Sequence, residues 1–115
     1  MKKTILILLL ILPFTLLGQL KVSGGLTVVH FNAGWNSANS VKWIGGLTDV
    51  KIKRCDIATD TQSQAKHEIV VVPTIIIFNH GKEVKRYQAD ISFSMKATKS
   101  QVQDKIDEIL MLESY

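Results

Sequence analysis

The chain has 115 residues with 14 basic and 10 acidic side chains, a net charge of +4, 46% hydrophobic residues and a single cysteine, Cys55. That length holds one domain with a modest core and not two, and one cysteine excludes any internal disulfide framework, so stability must come from packing. Without Lys2 and Lys3 the 14 basic side chains become 12 against 10 acidic, a net +2, which gives no ground for nucleic acid as a partner.

Met1-Lys2-Lys3 opens the chain, aliphatic residues fill Ile5 to Leu12, and Pro13-Phe14-Thr15-Leu16-Leu17-Gly18 follow. A basic start, a short apolar run and a small residue at Gly18 read as a secretory signal peptide over residues 1–18, although Leu16 is large for its place before the cut. The rival reading is an uncleaved anchor, but Ile5 to Leu17 falls short of the roughly 20 apolar residues that span a bilayer. A lipid anchor needs a cysteine just after the run, where Gln19 stands. The expectation is an exported protein, periplasmic or secreted, with one domain over residues 19–115 and no stable membrane insertion once the signal is removed.

Leu26 to Phe31 is continuous, β-branched and too short for a helix, which predicts a buried strand. Asn36, Ser37, Asn39 and Ser40 are possible N-caps for a short helix in which Val41, Trp43, Ile44 and Leu47 share a face and Gly45-Gly46 fray the end. Val50 to Ile57 reads as a second strand and Asp60 to Glu68 as a polar helix opened by Thr59 or Asp60. Together these make a βαβ unit with parallel strands and a right-handed crossover. After Pro73, Thr74 to Phe78 is an apolar strand, and Asn79-His80-Gly81-Lys82 turns the chain into Glu83 to Gln88, a β-hairpin. Ile91, Phe93, Met95 and Ala97 alternate with polar residues and predict a further extended segment; Thr98 or Ser100 then caps a last amphipathic helix carrying Val102, Ile106, Ile109 and Leu110.

The order β-α-β-α-β-β-α, the approach Phe31-Asn32-Ala33-Gly34-Trp35 and the opening Val72-Pro73-Thr74 of the third strand resemble the thioredoxin family over residues 26–112. The resemblance implies an α/β domain of the minimal thioredoxin-like fold, a mixed sheet flanked by helices, with the family's first strand and helix absent or reduced to a stub. It places the nucleophilic and resolving cysteines at Asn36 and Asn39, with Ser37 and Ala38 between them and His30 at the buried acid. Ala89 stands where a glycine is expected. Asparagine forms neither thiolate nor mixed disulfide, so the resemblance implies a redox-inactive member. It also implies a cis Pro73 and a groove in which Trp35, Asn36, Ser37, Val72, Pro73 and Thr74 hold a protein or extended peptide, the Val72 main chain pairing with it as an added strand.

Plainer readings stand beside these. On these, Pro73 serves only to shape its loop, and Asn36, Asn39 and the serines only to cap a helix turn, each cap being worth about 1 kcal/mol. Trp35 fits packing or partner contact equally, while Trp43 belongs to the core. His30 reads as a satisfied core histidine; His67 and His80 lie in other elements, no metal-ligand spacing is recognisable and no cofactor is expected. Cys55 is the one possible reactive thiol, for an oxidoreductase acting through it alone or for a disulfide to another chain, against the reading of an inert buried thiol. Lys51, Lys53 and Arg54 with Lys82, Lys85 and Arg86 suggest a basic face, read as solvated.

Overall fold

The computed structural model describes Leu20, Val22 and residues 24–114; the expected signal at residues 1–18 lies outside the described residues. A four-stranded sheet forms from β1 (Leu26–Asn32), β2 (Lys51–Asp56), β3 (Thr74–Asn79) and β4 (Lys82–Gln88) in the order β2-β1-β3-β4. Strand β1 runs parallel to β2 and antiparallel to β3, which pairs antiparallel with β4. Two α-helices, α1 (Thr61–Lys66) and α2 (Lys99–Glu113), and two 3-10 helices, Gly34–Asn39 and Lys42–Gly46, complete the mixed α/β fold.

Every residue of β1 is buried because the strand is central and both its faces are covered, which is why its apolar run is continuous. One face carries Leu26, Val28, Ile75 and Ile77 under Ile44, Val102 and Ile106; the other carries Val29, Phe31, Ile76 and Phe78 against Ile57, Ile69 and Val72, with Leu20 and Val22 packed on it.

Local chemistry fixes the ends. His80 (φ 52°) and Gly81 (φ 81°) both take positive φ between the paired Asn79 and Lys82, the geometry of a two-residue hairpin turn that follows the twist of its strands. Asp60 caps α1 by accepting from the Ser63 N–H at 3.0 Å. Thr98 caps α2 reciprocally: its hydroxyl accepts from Gln101 N–H, while its own N–H donates to the Gln101 side chain. Helix α1 ends with Glu68 at φ 52°, the Ile69 N–H reaching back to the Gln64 carbonyl at 3.0 Å and the Glu68 N–H to Ala65. Arg86 of β4 closes this end, donating to the His67 carbonyl at 2.6 Å and the Glu68 carbonyl at 3.0 Å while forking onto Glu83.

Three expectations are corrected. The helix after Trp35 is two short 3-10 helices, broken where Val41 is extended, because Gly45-Gly46 leave no length over which an α-helix could propagate. The alternation from Ile91 to Ala97 gives turns and bends rather than a strand; Asp90 accepts from the Ser92 N–H and hydroxyl, and this side-chain turn outcompetes extension. The suggested basic face does not form, since β2 and β4 lie on opposite edges of the sheet.

Candidate functional site

Strand β1 ends at Asn32, and the chain turns through Ala33 into the first 3-10 helix, placing Trp35 outside and Asn36 inside. Trp35 is 67% exposed and Asn36 only 5%. Neither Asn36 nor Asn39 caps a helix: the N-cap positions are Ala33 and Val41, and neither makes a side-chain cap bond. The capping reading is therefore corrected. Asn36 departs from helical geometry (φ −112°, ψ 21°), and its side chain is turned sideways into the protein, where it does other work.

The Asn36 amide nitrogen lies 3.1 Å from Asn32 Oδ1, 3.2 Å from the Phe93 carbonyl and 3.5 Å from the Val72 carbonyl. Its oxygen accepts from Asn39 Nδ2 at 2.9 Å. Asn32 Nδ2 in turn donates to the Asn36 carbonyl at 3.2 Å and the Ser40 hydroxyl at 3.1 Å. A buried amide needs partners for both of its ends, and Asn36 finds them on three separate pieces of chain: the end of β1, the loop before Pro73 and the 90–95 turn. Asn32 and Phe93 are the members that sequence reasoning missed. Asn32 carried a signal, being a polar residue closing an apolar strand four positions before Asn36.

The Val72–Pro73 peptide is cis. Val72 is 2% exposed and Thr74 fully buried, its hydroxyl donating to the Val71 carbonyl at 2.6 Å. Of the six residues assigned to the groove, only Trp35 and Ser37 are exposed; Asn36, Val72, Pro73 and Thr74 lie beneath. Phe93 crosses above them, its ring edge-on to Trp35 at 5.4 Å and 89°. Trp35, Phe93 and Val70, the last 81% exposed, rim an open furrow of about 140 Å³ whose floor is Ile57, Ile69 and Val72.

Cys55 lies on the same side of the sheet, 7% exposed, with its Sγ 3.7 Å from Asp60 Oδ2. Burial and the Asp60 and Asp56 carboxylates push its pKa up to about 11. An activated cysteine needs the opposite surroundings, partial exposure beside positive charge. His30 is 5% exposed, its Nε2 accepting from the Val41 N–H at 3.2 Å; burial, aided by Arg54, holds its pKa down near 4, so it is uncharged at neutral pH. Among the described residues no three His, Cys, Asp or Glu side chains are grouped to hold a metal ion, and no helix is long and apolar enough to cross a membrane.

No model of a known protein family matches the chain, and no curated protein sequence is similar to it. Solved structures are similar in fold. Fasciola hepatica thioredoxin superposes with a TM-score of 0.55 at 22% identity, covering 75% of this chain and 82% of that one. Reduced Schistosoma mansoni thioredoxin pre-protein gives 0.60 at 22% identity, over 75% and 80%. Thioredoxin 1 of Thermosipho africanus gives 0.59 at 19% identity, over 77% and 99%. The fold is thioredoxin-like.

Proposed function

We propose that this is an exported binding module on a thioredoxin-like frame, without thiol–disulfide activity, that holds an extended segment of a partner protein by an apolar side chain seated between Trp35, Phe93 and Val70. The observation that carries this reading is the buried Asn36 amide, to which the resemblance assigns the nucleophilic cysteine's position and which is bonded to the Val72 and Phe93 carbonyls. An amide so engaged supports a fixed rim and offers no exchange chemistry. Because Asn36 already occupies the Val72 carbonyl, side-chain docking in the furrow is favoured over strand addition at Val72. A furrow of about 140 Å³ matches one apolar side chain, and an exposed Trp beside a Phe is a good interface anchor. The basic, apolar and small-residue order of Met1 to Gly18 supports export.

Cys55 as a catalytic thiol is not favoured, because its raised pKa leaves almost no thiolate at neutral pH. Two measurements test the proposal. With dithiothreitol, insulin reduction is expected to stay at the uncatalysed rate; turnover that persists in Cys55→Ser sinks the inactive reading. Extended peptides bearing a central Leu or Phe are expected to change Trp35 emission and to bind at least ~10-fold more weakly to Trp35→Ala, and equal affinity for both proteins rules the furrow out.

A further inference from the structure

Cover over the sheet is uneven on the face of the first cluster. Leu26 and Val28 of β1 belong to that cluster and Ile52 of β2 packs against it, but the same face continues into four polar residues in two cross-strand pairs, His30 with Arg54 and Asn32 with Asp56. Above them the two 3-10 helices part at Ser40 and Val41, leaving an open cavity of about 190 Å³ at the carboxyl ends of the parallel strands. This is where parallel strands commonly present ligand groups. None of its lining residues lines the furrow beside Trp35.

His30 points to a ligand here. Its Nε2 accepts from Val41, so the ring proton sits on Nδ1, and among the described residues no acceptor meets it. Every fully buried side-chain nitrogen or oxygen among the described residues has a partner, so the unpartnered Nδ1–H of this 5% exposed residue must look out into the cavity that it lines. Ser37, Ser40 and Arg54, whose side chains carry donors, line the same cavity. Asp56 brings the opposite charge. Arg54 extends over Gly45, with Nη2 3.6 Å from where a β-carbon would lie, and Asp56 extends over Gly34, with Oδ2 3.5 Å from such a carbon. Neither forms an ion pair among the described residues. Two unlike charges two residues apart on one strand face stand about 7 Å apart at their backbones.

We propose that this cavity binds a free α-amino acid with a small side chain, its carboxylate on Arg54, the His30 Nδ1–H and the serine hydroxyls, its ammonium on Asp56. Asp56 disfavours a simple anion and Arg54 a simple cation; a zwitterion satisfies both. The cavity's volume sets the size of the side chain.

The test is an amide and imidazole NMR titration of the protein with glycine and alanine, and separately with acetate and methylammonium. Saturable shifts at His30, Ser37 and Asp56 are expected with the amino acids, with affinity at least ~10-fold above either single-charge compound. Arg54→Ala and Asp56→Ala should each weaken binding by a similar factor. Gly34→Ala adds a methyl at ordinary contact distance from Asp56, so the fold is retained while the cavity narrows and affinity falls. The proposal is overturned if the amino acids give no saturable shift, if acetate binds as tightly as glycine, or if a spectroscopically folded Arg54→Ala binds glycine as the parent does.

Discussion

At the scale of single residues, the Asn36 amide decides how the site is built. It is 5% exposed and faces three acceptors, so Asn36→Ala removes the donor and leaves the buried Asn32 and Val72 oxygens short of a partner. Unsatisfied buried groups cost about 1–3 kcal/mol each, and with Val72 at the long distance of 3.5 Å the expected loss is about 2–4 kcal/mol in urea unfolding. Trp35 emission should shift at the same time, because Phe93 is released from beside it. His30 makes a separate, pH-dependent prediction. Its folded pKa near 4 lies below the unfolded value of 6.5, so the unfolded chain binds the extra proton as pH falls through that window and stability falls with it. Between about pH 7.5 and about pH 5 wild type should lose roughly 2 kcal/mol more than His30→Gln, which keeps an acceptor for Val41 but does not titrate. Equal pH slopes for the two proteins would show that His30 is charged in the folded state.

At the scale of elements, α1 has six residues and depends on its ends. The Asp60 side chain serves the Ser63 N–H and hydroxyl and also accepts from the Leu20 N–H. Asp60→Ala is expected to cost about 1–2 kcal/mol, the range of a lost N-cap. At the other end Glu68 holds a positive φ that glycine adopts freely, so Glu68→Gly should raise the unfolding midpoint, by up to about 1 kcal/mol in stability.

These elements also separate what sequence reading reaches from what it does not. β1, β3, the hairpin and α2 were legible, because an unbroken β-branched run, a His-Gly turn and a Thr98 cap act over a few neighbouring residues. The region from Trp35 to Leu47 was legible only as helical spacing; the kink at Asn36 inside the first 3-10 helix goes with its side chain being drawn inward by acceptors as distant as Val72 and Phe93. The Ile91 to Ala97 alternation misled for a related reason, since a pattern of period two records which faces are apolar and not whether a partner strand exists. Trp35 was legible as a candidate contact; Phe93 and Val70 were not, because exposure is a property of the assembled surface.

At the scale of the whole molecule, both apolar clusters are strung on β1 and β3, alternate residues of the same two strands feeding opposite faces. Neither cluster can dissolve without removing one wall of the other. Urea unfolding followed by far-UV circular dichroism and by Trp emission is therefore expected to give coincident transitions, and separated midpoints would mean that the two faces come apart independently.

The Arg86 fork gives the molecule a mechanical property. Strand β4 lies on the sheet edge, yet its guanidinium grips the carbonyls of His67 and Glu68, directly upstream of the Ile69 to Val72 stretch that walls the furrow. The wall is thus a beam clamped at one end by a distant strand and at the other by the Asn36 amide. Cutting the far clamp with Arg86→Ala should quicken amide hydrogen exchange at Ile69, Val70 and Val71 while leaving β1 as slow as before. Stiffness at the furrow would then be supplied by an edge strand none of whose residues line it.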